Sequence, residues 1–365
     1  MGLSGPVLLS AGGTGGHLFP AEALALELKA RGHSVHLVTD VRAEKFAGHF
    51  PAEKIHVVPS ATIGSKNPLS IAKALWKLWS GYRTAGTLVR SIRPAAVVGF
   101  GGYPTVPPLM AAVGADVPSI IHEQNGVMGR ANRLLAGRVD RIAGGFLKAS
   151  GSHAAKIVEV GNPARQSVLD VADTPYETPT PDGELRVLIF GGSQGARYFS
   201  DSVPELIALL PETLRSRLKL VQQARREDEE RLKARYAEMG VTAEVNSFFS
   251  DLPARMANSH LVLSRSGAST VNELSIIGRP SILVPLPHAL DDDQGHNAKI
   301  LVEANGALMR RQPDITTQSL AADLETLLSD PARLEAMAHG AKSAGRTNAT
   351  QLLADLVEAI AAGDN

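Results

Sequence analysis

The sequence predicts an α/β protein with two domains, each built on a parallel sheet covered by helices. Short β-branched runs alternate with helical patterns from end to end, as in chains that form parallel sheets. A glycine-rich loop between a predicted strand and a predicted helix, at 12–16, is echoed at 191–195. Between them, residues 170–184 are rich in Pro, Thr and acidic residues and have no apolar period, as expected of a linker.

Length and composition fit this organisation. The chain has 365 residues, of which 44% are apolar, enough to fill two cores. Lys plus Arg and Asp plus Glu are equal at 37 each, which removes the overall positive field of nucleic-acid-binding proteins, so no nucleic-acid partner is expected. The absence of cysteine excludes disulfides, thiolate nucleophiles and cysteine zinc sites.

The N-terminal region does not resemble a secretory signal. No basic segment precedes its apolar run, and Gly12 and Gly13 interrupt that run, so a cytoplasmic location is expected. No apolar run approaches the roughly 20 residues needed to cross a bilayer. Any membrane contact is therefore expected to be peripheral.

Nine runs are predicted as strands. They are VLLSA, SVHLVTD, AAVVGF, PSIIHE and KIVEVGN in the first half, and RVLIFGG, LKLVQQ, HLVLSRS and PSILVPL in the second. We place an N-terminal domain at 1–163, a C-terminal domain at 164–345 and a C-terminal helix within 346–365. Composition leaves open on which half this helix packs, and packing back on the N-terminal domain is one of the two options.

Three glycine-rich loops follow predicted strands, at 12–16, 97–108 and 191–195. Glycine lets the backbone approach a ligand closely, and a helix N-terminus carries partial positive charge, so the loops predict anion binding, most naturally of phosphate. A tight turn that binds nothing is the alternative. Leu18 stands where the dinucleotide fingerprint requires its third glycine, although Asp40, at the end of the second predicted strand, leaves a nicotinamide-dependent oxidoreductase as another alternative.

Six motifs occur in order over nearly the whole chain: GGTGGH, FGGYPTVPP, HEQNGVMGRANR, GNPAR, GGSQGA and HLVLSRSGASTVNELSIIGRPSILVPLPHALDDDQGHNA. In this combination the sequence resembles the MurG family, the membrane-associated N-acetylglucosaminyltransferases of peptidoglycan synthesis. The resemblance implies the GT-B fold, in which two Rossmann-like domains with parallel sheets face each other across a cleft. It also implies inverting transfer of GlcNAc from UDP-GlcNAc to the C4 hydroxyl of MurNAc in lipid I, which makes lipid II.

Three other functions remain open at this point. Another GT-B enzyme, such as a UDP-GlcNAc 2-epimerase or a glycolipid glycosyltransferase, would share the fold, although an epimerase would need no lipid acceptor. The nicotinamide-dependent oxidoreductase is disfavoured by the broken fingerprint. A non-catalytic scaffold would bind UDP-GlcNAc and turn nothing over.

The resemblance assigns the nucleotide contacts residue by residue. Glu273 would bind the ribose hydroxyls, since a carboxylate accepts two hydrogen bonds at once. Ser193 and Arg165 would contact the pyrophosphate and nucleotide, and an arginine there would offset charge on the departing UDP. A solvated helix acid, or a capping and bracing role, is the structural alternative for these residues.

The remaining donor contacts follow from the same resemblance. The backbone of Phe249 would bind uracil, and Ala268 and Thr270 would line the phosphate region. Gln294 and Asn125 would bind GlcNAc hydroxyls, because amides both donate and accept hydrogen bonds.

The run Asp291-Asp292-Asp293 is similar to the Asp-x-Asp motif with which another class of glycosyltransferases binds a divalent ion. We interpret it as a polar loop, because helix N-termini and Arg165 would already stabilise the diphosphate. No metal and no cofactor are therefore expected. The family often has paired glutamines where this chain has Asp293 and Gln294, which leaves one sugar contact open.

An inverting displacement needs a base that takes the proton of the acceptor hydroxyl. His17 follows the first glycine loop at a helix N-terminus, which should lower its pKa and keep it neutral. We predict His17 as the catalytic base, with Glu123 as the alternative base and a capping or packing role as the structural alternative. Thr14, Gly15 and Gly16 would hold the acceptor's diphosphate or the edge of the substrate.

Residues 64–93 contain six Lys or Arg and no acidic residue. Four large apolar residues among them, Leu75, Trp76, Leu78 and Trp79, are predicted to contact a membrane. The period predicts a helix whose apolar stripe is formed by Ile71, Leu75, Leu78, Trp79 and Tyr82. Each cation contributes about 1 kcal/mol near an anionic leaflet, which favours reversible attachment to the cytoplasmic face of the cell membrane. A core helix with a solvated basic face is the alternative.

Overall fold

The computed structural model describes residues 3–12, 15–40, 50–61 and 67–363, apart from the side chains at 15, 192–196 and 290. The chain divides into two compact units. Unit 1 consists of Met1–Arg165 and Thr347–Asn365, and unit 2 of Gln166–Arg346. Each unit contains a parallel sheet with helices, which confirms the predicted α/β class.

Seven strands form the sheet of unit 1 among its described residues. They are β1 (Val7–Ser10), β2 (Val35–Thr39), β3 (Lys54–Val57), β4 (Ala96–Gly99), β5 (Ser119–Glu123), β6 (Arg141–Gly144) and β7 (Ile157–Glu159). Their order is β3-β2-β1-β4-β5-β6-β7, and neighbouring strands are parallel. The central strands are buried along their whole length, as expected when helices cover both faces of a sheet.

The first part of unit 1 contains four described α-helices, namely α1 (Gly15–Ala30), α2 (Pro68–Ile92), α3 (Val106–Val113) and α4 (Arg130–Leu135). Helix α2 begins where the Asn67 side chain accepts a hydrogen bond from the amide of Leu69 at 3.0 Å, with Pro68 at a position that needs no donor. It ends at Ile92, and the C-cap residue Arg93 has a left-handed backbone.

The packed face of α2 differs from the predicted apolar stripe. Its buried residues are Ala74, Gly81, Ala85 and Val89, whereas Leu75 and Trp79 are each 53% exposed. The close approach of the preceding loop explains this choice, because a Cβ at Gly81 would lie 2.0 Å from the carbonyl oxygen of Pro59. Small residues therefore face the body of unit 1, and the large apolar side chains of α2 face outward.

Unit 2 repeats the arrangement with six strands among its described residues. They are β8 (Leu185–Phe190), β9 (Leu218–Gln223), β10 (Thr242–Asn246), β11 (Leu261–Ser264), β12 (Ser281–Leu283) and β13 (Ala307–Met309), in the order β10-β9-β8-β11-β12-β13. All neighbouring pairs are parallel. The helices are α5 (Gln166–Leu169), α6 (Gly192–Ala208), α7 (Glu212–Arg215), α8 (Glu229–Glu238), α9 (Leu252–Ala257), α10 (Ala268–Ile277), α11 (Asp293–Glu303), α12 (Thr317–Leu328) and α13 (Pro331–Ser343).

The last helix, α14 (Ala349–Ala362), belongs to unit 1. Its buried face, which includes Leu353, Val357 and Ile360, joins the core that α1 covers. Arg31 donates hydrogen bonds to Asp355 at 2.6 Å and to Glu358 at 2.7 Å. Unit 1 is therefore built from two segments that are far apart in the chain.

Candidate active site

Both sheets have a switch point at which the strand order reverses. In unit 1 it lies between β1 and β4, and in unit 2 between β8 and β11. Loops that leave adjacent strands in opposite directions open a crevice at the carboxyl ends of those strands, which is where open α/β sheets bind ligands. The described parts of the three predicted glycine loops follow β1, β4 and β8, so each lies at a switch point. Residues 15–16 and 192–195 are not loop but the first turns of α1 and α6.

His17 lies in the first turn of α1, beside the switch point of unit 1. Its Nδ1 is 3.2 Å from the carbonyl oxygen of Gly12. Two further glycines approach the ring: a Cβ at Gly101 would lie 3.3 Å from Nε2, and a Cβ at Gly102 would lie 3.5 Å from Cε1. The two glycines have φ values of +91° and +75°, so the backbone conformation favours glycine at both positions, and the close contact with the imidazole favours it also at Gly101.

The surroundings of His17 favour a neutral imidazole. Burial lowers its pKa below the usual range, although the charge of Glu123 and the carbonyl of Gly12 act in the opposite direction. A carbonyl only accepts, so in this contact Nδ1 carries the proton and Nε2 carries the lone pair. Nε2 is thus the nitrogen suited to accept a proton.

Glu123 ends β5 and is buried, with a carboxylate that accepts four hydrogen bonds. Oε1 accepts from the amide and the side-chain nitrogen of Asn125, each at 3.0 Å. Oε2 accepts from the amide of Gly129 and from Nδ2 of Asn132, each at 2.9 Å. Glu123 therefore holds the turn that leads into α4 and fixes the direction of the Asn125 amide.

The GNPAR motif lies at the same end of unit 1. The Arg165 guanidinium carbon stands 4.6 Å from the centre of the Phe19 ring, two residues beyond His17 in α1. Nδ2 of Asn162 donates to the carbonyl of Gln124 at 2.9 Å. Folding thus brings three distant segments to one end of unit 1, and these carry His17, the pair Glu123 and Asn125, and Arg165.

Two of the other predicted contacts in the first loop, Gly15 and Gly16, are the first residues of α1. Thr14 lies outside the described residues. Ser193 is the second residue of α6 and follows the switch-point strand β8 of unit 2.

Helix α10 presents its N-terminus at the switch point of unit 2. It begins at Ala268, and Gly267 at its N-cap supplies no side chain to its first amides, so these donors and the helix dipole suit an anion. Thr270 lies in the first turn. Glu273 is only 7% exposed, which is rare for a carboxylate and argues against the alternative of a solvated helix acid.

Gln294 and its neighbours are tied to the loop before α10. Ser266 donates through Oγ to the Gln294 carbonyl at 2.8 Å, and Gln294 Oε1 accepts from the amide of Leu286 at 3.0 Å. Asp293 Oδ1 accepts from the amide of Gln294 at 2.7 Å. The Asp293 side chain therefore stabilises the start of α11.

The aspartate run has a partner of its own. Asp292 forms a bidentate ion pair with Arg311, at 2.9 and 2.7 Å, and this hydrogen bonding lowers the pKa of Asp292. Among the residues that the structure describes, no group of three or more His, Asp or Glu side chains has an arrangement that could hold a metal ion.

Phe249 follows β10 and is buried, with the Arg255 guanidinium carbon 4.3 Å from its ring centre. The ring is therefore held against the protein, and the backbone is the part of Phe249 that remains able to contact a nucleobase. Sequence reasoning did not single out Asn132, which supports Glu123, or the contact between Gly101 and His17. The glycine pair in FGGY was the available signal, but only the fold shows which side chain it accommodates.

The outward face of α2 carries large apolar side chains. Leu75, Trp76 and Trp79 are 53%, 67% and 53% exposed, whereas Leu78 is partly buried. Arg83 lies over the Trp79 ring, 5.1 Å from its centre. Within the described part of the chain, no helix has the length and apolar character needed to cross a bilayer.

Comparison with known proteins assigns each unit to a known domain family. Residues 7–144 match the glycosyltransferase family 28 N-terminal domain, and residues 186–353 match the glycosyltransferase family 28 C-terminal domain. The chain is 58% identical, over 98% of its length and 95% of the relative's, to the UDP-N-acetylglucosamine–N-acetylmuramyl-(pentapeptide) pyrophosphoryl-undecaprenol N-acetylglucosamine transferase of Agrobacterium fabrum.

Two further similarities agree with this placement. The enzyme of the same name from Mesorhizobium japonicum is 58% identical over 98% of this chain and 96% of its own length. The crystal structure of Acinetobacter baumannii MurG matches with a TM-score of 0.79 and 27% identity, over 97% of this chain and 99% of that chain. The chain therefore belongs to glycosyltransferase family 28 and, within it, to the MurG family of N-acetylglucosaminyltransferases.

Proposed function

We propose that this chain transfers GlcNAc from UDP-GlcNAc to the C4 hydroxyl of MurNAc in lipid I, with inversion, and so makes lipid II. The observation that carries the proposal is the 58% identity, along 98% of the chain, to a relative whose name states this donor and this type of acceptor. The groups around His17 and α10 supply the chemistry that such a transfer requires.

Donor binding is assigned to the C-terminal domain, 164–345. The amides at the start of α10, together with Ser193, Ala268 and Thr270, would hold the diphosphate, because a helix N-terminus offers unpaired donors and partial positive charge. The buried carboxylate of Glu273 would accept hydrogen bonds from the ribose hydroxyls.

Uracil and GlcNAc have separate contacts in this proposal. The backbone of Phe249 would bind uracil, while its ring stays fixed beneath Arg255. Gln294 and Asn125 would bind GlcNAc hydroxyls, and Asn125 is held in direction by Glu123. Arg165 would offset the negative charge that builds up on UDP as it leaves.

The chemical step needs one proton acceptor. Nε2 of His17 would take the proton of the acceptor hydroxyl while the hydroxyl oxygen attacks the anomeric carbon of GlcNAc. The bond between that carbon and the phosphate oxygen would break, and UDP would leave with the electron pair. Glu123 is the weaker candidate, because each of its carboxylate oxygens already accepts two hydrogen bonds from the protein. Its role would be to orient Asn125 and the turn before α4.

Acceptor and membrane binding are assigned to the N-terminal domain, 1–163. The exposed side chains Trp76 and Trp79 would enter the interface of an anionic membrane, as aromatic residues do at headgroup level. A pocket of about 410 Å³ borders the same face, between α2 and α3, and is lined by Arg83 and Arg90 among others. These cations would attract anionic headgroups and hold the protein reversibly at the cytoplasmic face of the membrane.

Transfer of labelled GlcNAc from UDP-GlcNAc to a short-chain lipid I analogue, in the presence of EDTA, tests the reaction. We expect glycosylated product and UDP in equal amounts. UDP release without product would point to hydrolysis, binding without turnover would point to a scaffold, and formation of the 2-epimer would point to an epimerase; each would refute the proposal.

Sedimentation with vesicles that contain phosphatidylglycerol tests the membrane surface. The double substitution Trp76→Ala and Trp79→Ala should weaken vesicle binding by about tenfold or more, because two aromatic anchors are lost. Leu209→Ala is the matched control, since Leu209 is an exposed apolar residue of unit 2, at 50% exposure. Equal binding by the double variant and the control would refute the surface.

A further inference from the structure

Arg265 is a buried arginine at the switch point of unit 2. It follows the last residue of β11, precedes the loop that opens α10, and is only 6% exposed. Nη1 donates to the carbonyls of Val284 at 3.0 Å and Pro285 at 3.2 Å, and Nη2 donates to Oε1 of Gln312 at 2.7 Å. One side chain thus joins the loops that follow β11, β12 and β13.

The guanidinium also contacts the helix that follows β8. The ring centres of Tyr198 and Phe199, both in α6, lie 4.9 and 5.3 Å from its central carbon. Ser193 lies in the first turn of α6. Arg265 therefore links the two segments, α6 and the start of α10, to which diphosphate binding is assigned.

All of these partners are electrically neutral. Among the described residues no carboxylate pairs with Arg265, and its Nε is buried without a hydrogen-bond partner. Burial lowers its pKa, but a guanidinium stays protonated in proteins. A buried charge without a counter-ion is costly, so unit 2 holds an uncompensated positive charge three residues before the first residue of α10.

We propose that Arg265 is a positioning residue of the donor site, which fixes the loops around the diphosphate and carries a charge that the diphosphate compensates. The inference rests on the proposed function, since it takes the ligand of unit 2 to be a uridine diphosphate. Carbonyl and ring contacts alone would serve equally well in a purely structural cross-link, so the test must separate the two roles.

The chain provides a matched control in Arg279. This residue is 1% exposed, and like Arg265 it has no carboxylate partner among the described residues. It donates to the backbone carbonyls of Ala257, Ile277, Gly278, Thr174 and Pro175. The Tyr176 ring lies 5.6 Å from its central carbon. Arg279 precedes β12, so it stands at the amino ends of the strands, at the opposite edge of the sheet from the switch-point crevice.

The experiment compares the full-length protein with Arg265→Met, Arg265→Lys and Arg279→Lys by calorimetric titration with UDP and with uridine. The ratio of the uridine Kd to the UDP Kd measures what the diphosphate contributes. Arg265→Met should lower this ratio by about tenfold or more, because a nearby charge is lost. Arg265→Lys should lower it by about threefold, since an ammonium keeps the charge but not the three-way contact.

Arg279→Lys should lose stability but keep the wild-type ratio. If Arg265→Met does not fold, Arg265→Lys decides the test. An unchanged ratio in Arg265→Lys, or an equal fall in Arg279→Lys, would overturn the role of Arg265 while wild-type binding of UDP upholds the donor site. Failure of the wild-type protein to bind UDP would instead overturn the proposed function, and this inference with it.

Discussion

Gly101→Ala should slow turnover through His17 while donor binding persists. Gly101 has φ +91°, and an added Cβ would lie 3.3 Å from His17 Nε2. The unfavourable backbone costs about 1–3 kcal/mol of folding stability. The imidazole must also retreat by a few tenths of an ångström, and since a shift of 1 Å costs about 10²-fold in rate, we expect kcat to fall by about three- to tenfold.

Gly32→Ala separates the two effects. Gly32 has φ +85°, and nothing lies within 4 Å of an added Cβ, so this variant bears a similar backbone cost without touching His17. The assay compares kcat, the Kd for UDP and thermal unfolding in both variants. We expect matched losses of stability, unchanged UDP affinity and a fall of kcat in Gly101→Ala alone. A kcat equal to that of Gly32→Ala would refute the positioning of His17 by Gly101.

Three further outcomes are expected. The kcat/KM should fall on the acid side with an apparent pKa below 6.5, because burial lowers the pKa of His17 from that value and only the neutral imidazole accepts a proton. His17→Gln should remove this limb and about 10²–10⁴-fold of kcat, and an unchanged pH profile would contradict the assignment. Glu123→Gln should lower the free energy of unfolding in urea by about 1–3 kcal/mol, because the new amide group would place a donor against groups that themselves donate hydrogen bonds. A variant as stable as the wild type would contradict this role of Glu123. Arg31→Ala should lower the free energy of unfolding at pH 7 by about 1–2 kcal/mol, because its network of ion pairs with α14 is lost. Hydrogen bonds from His33 and Arg31 hold the pKa of Glu358 below 4.5 in the folded protein. Their contribution to the free energy of unfolding is therefore fully present above pH 4.5, and it is lost as the pH falls through the lower pKa of the folded state. The free energy of unfolding should therefore change less between pH 7 and pH 3 in Arg31→Ala than in the wild type. An equal change in both proteins would contradict the network.

Most of the sheet architecture was predictable because buried parallel strands need continuous apolar runs. Each of the nine predicted runs contains a strand. Four strands were missed, namely β3, β6, β10 and β13. Three of them stand at sheet edges, where one side of the strand has no neighbour and polar residues are tolerated. The fourth, β6, has the short sequence RIAG.

The site was less predictable, because its geometry depends on contacts between distant segments. The pattern of α2 identified a helix with apolar residues, but only the approach of Pro59 to Gly81 shows which face packs inward. The four donors to Glu123 come from a turn that its own carboxylate organises. Arg265 had no local signal, since its hydrogen-bond partners lie 19 to 47 residues further along the chain and its ring contacts, Tyr198 and Phe199, lie in an earlier helix.

The return of α14 to unit 1 has a consequence for the order of events during synthesis. The chain leaves the ribosome from its N-terminus, so Met1–Arg165 emerges first and yet lacks the helix that covers Leu24 and Leu28 in the finished core. Gln166–Arg346 emerges next as one continuous segment. The fold of unit 2 therefore requires no later segment, whereas the core of unit 1 is complete only when the last helix has been made.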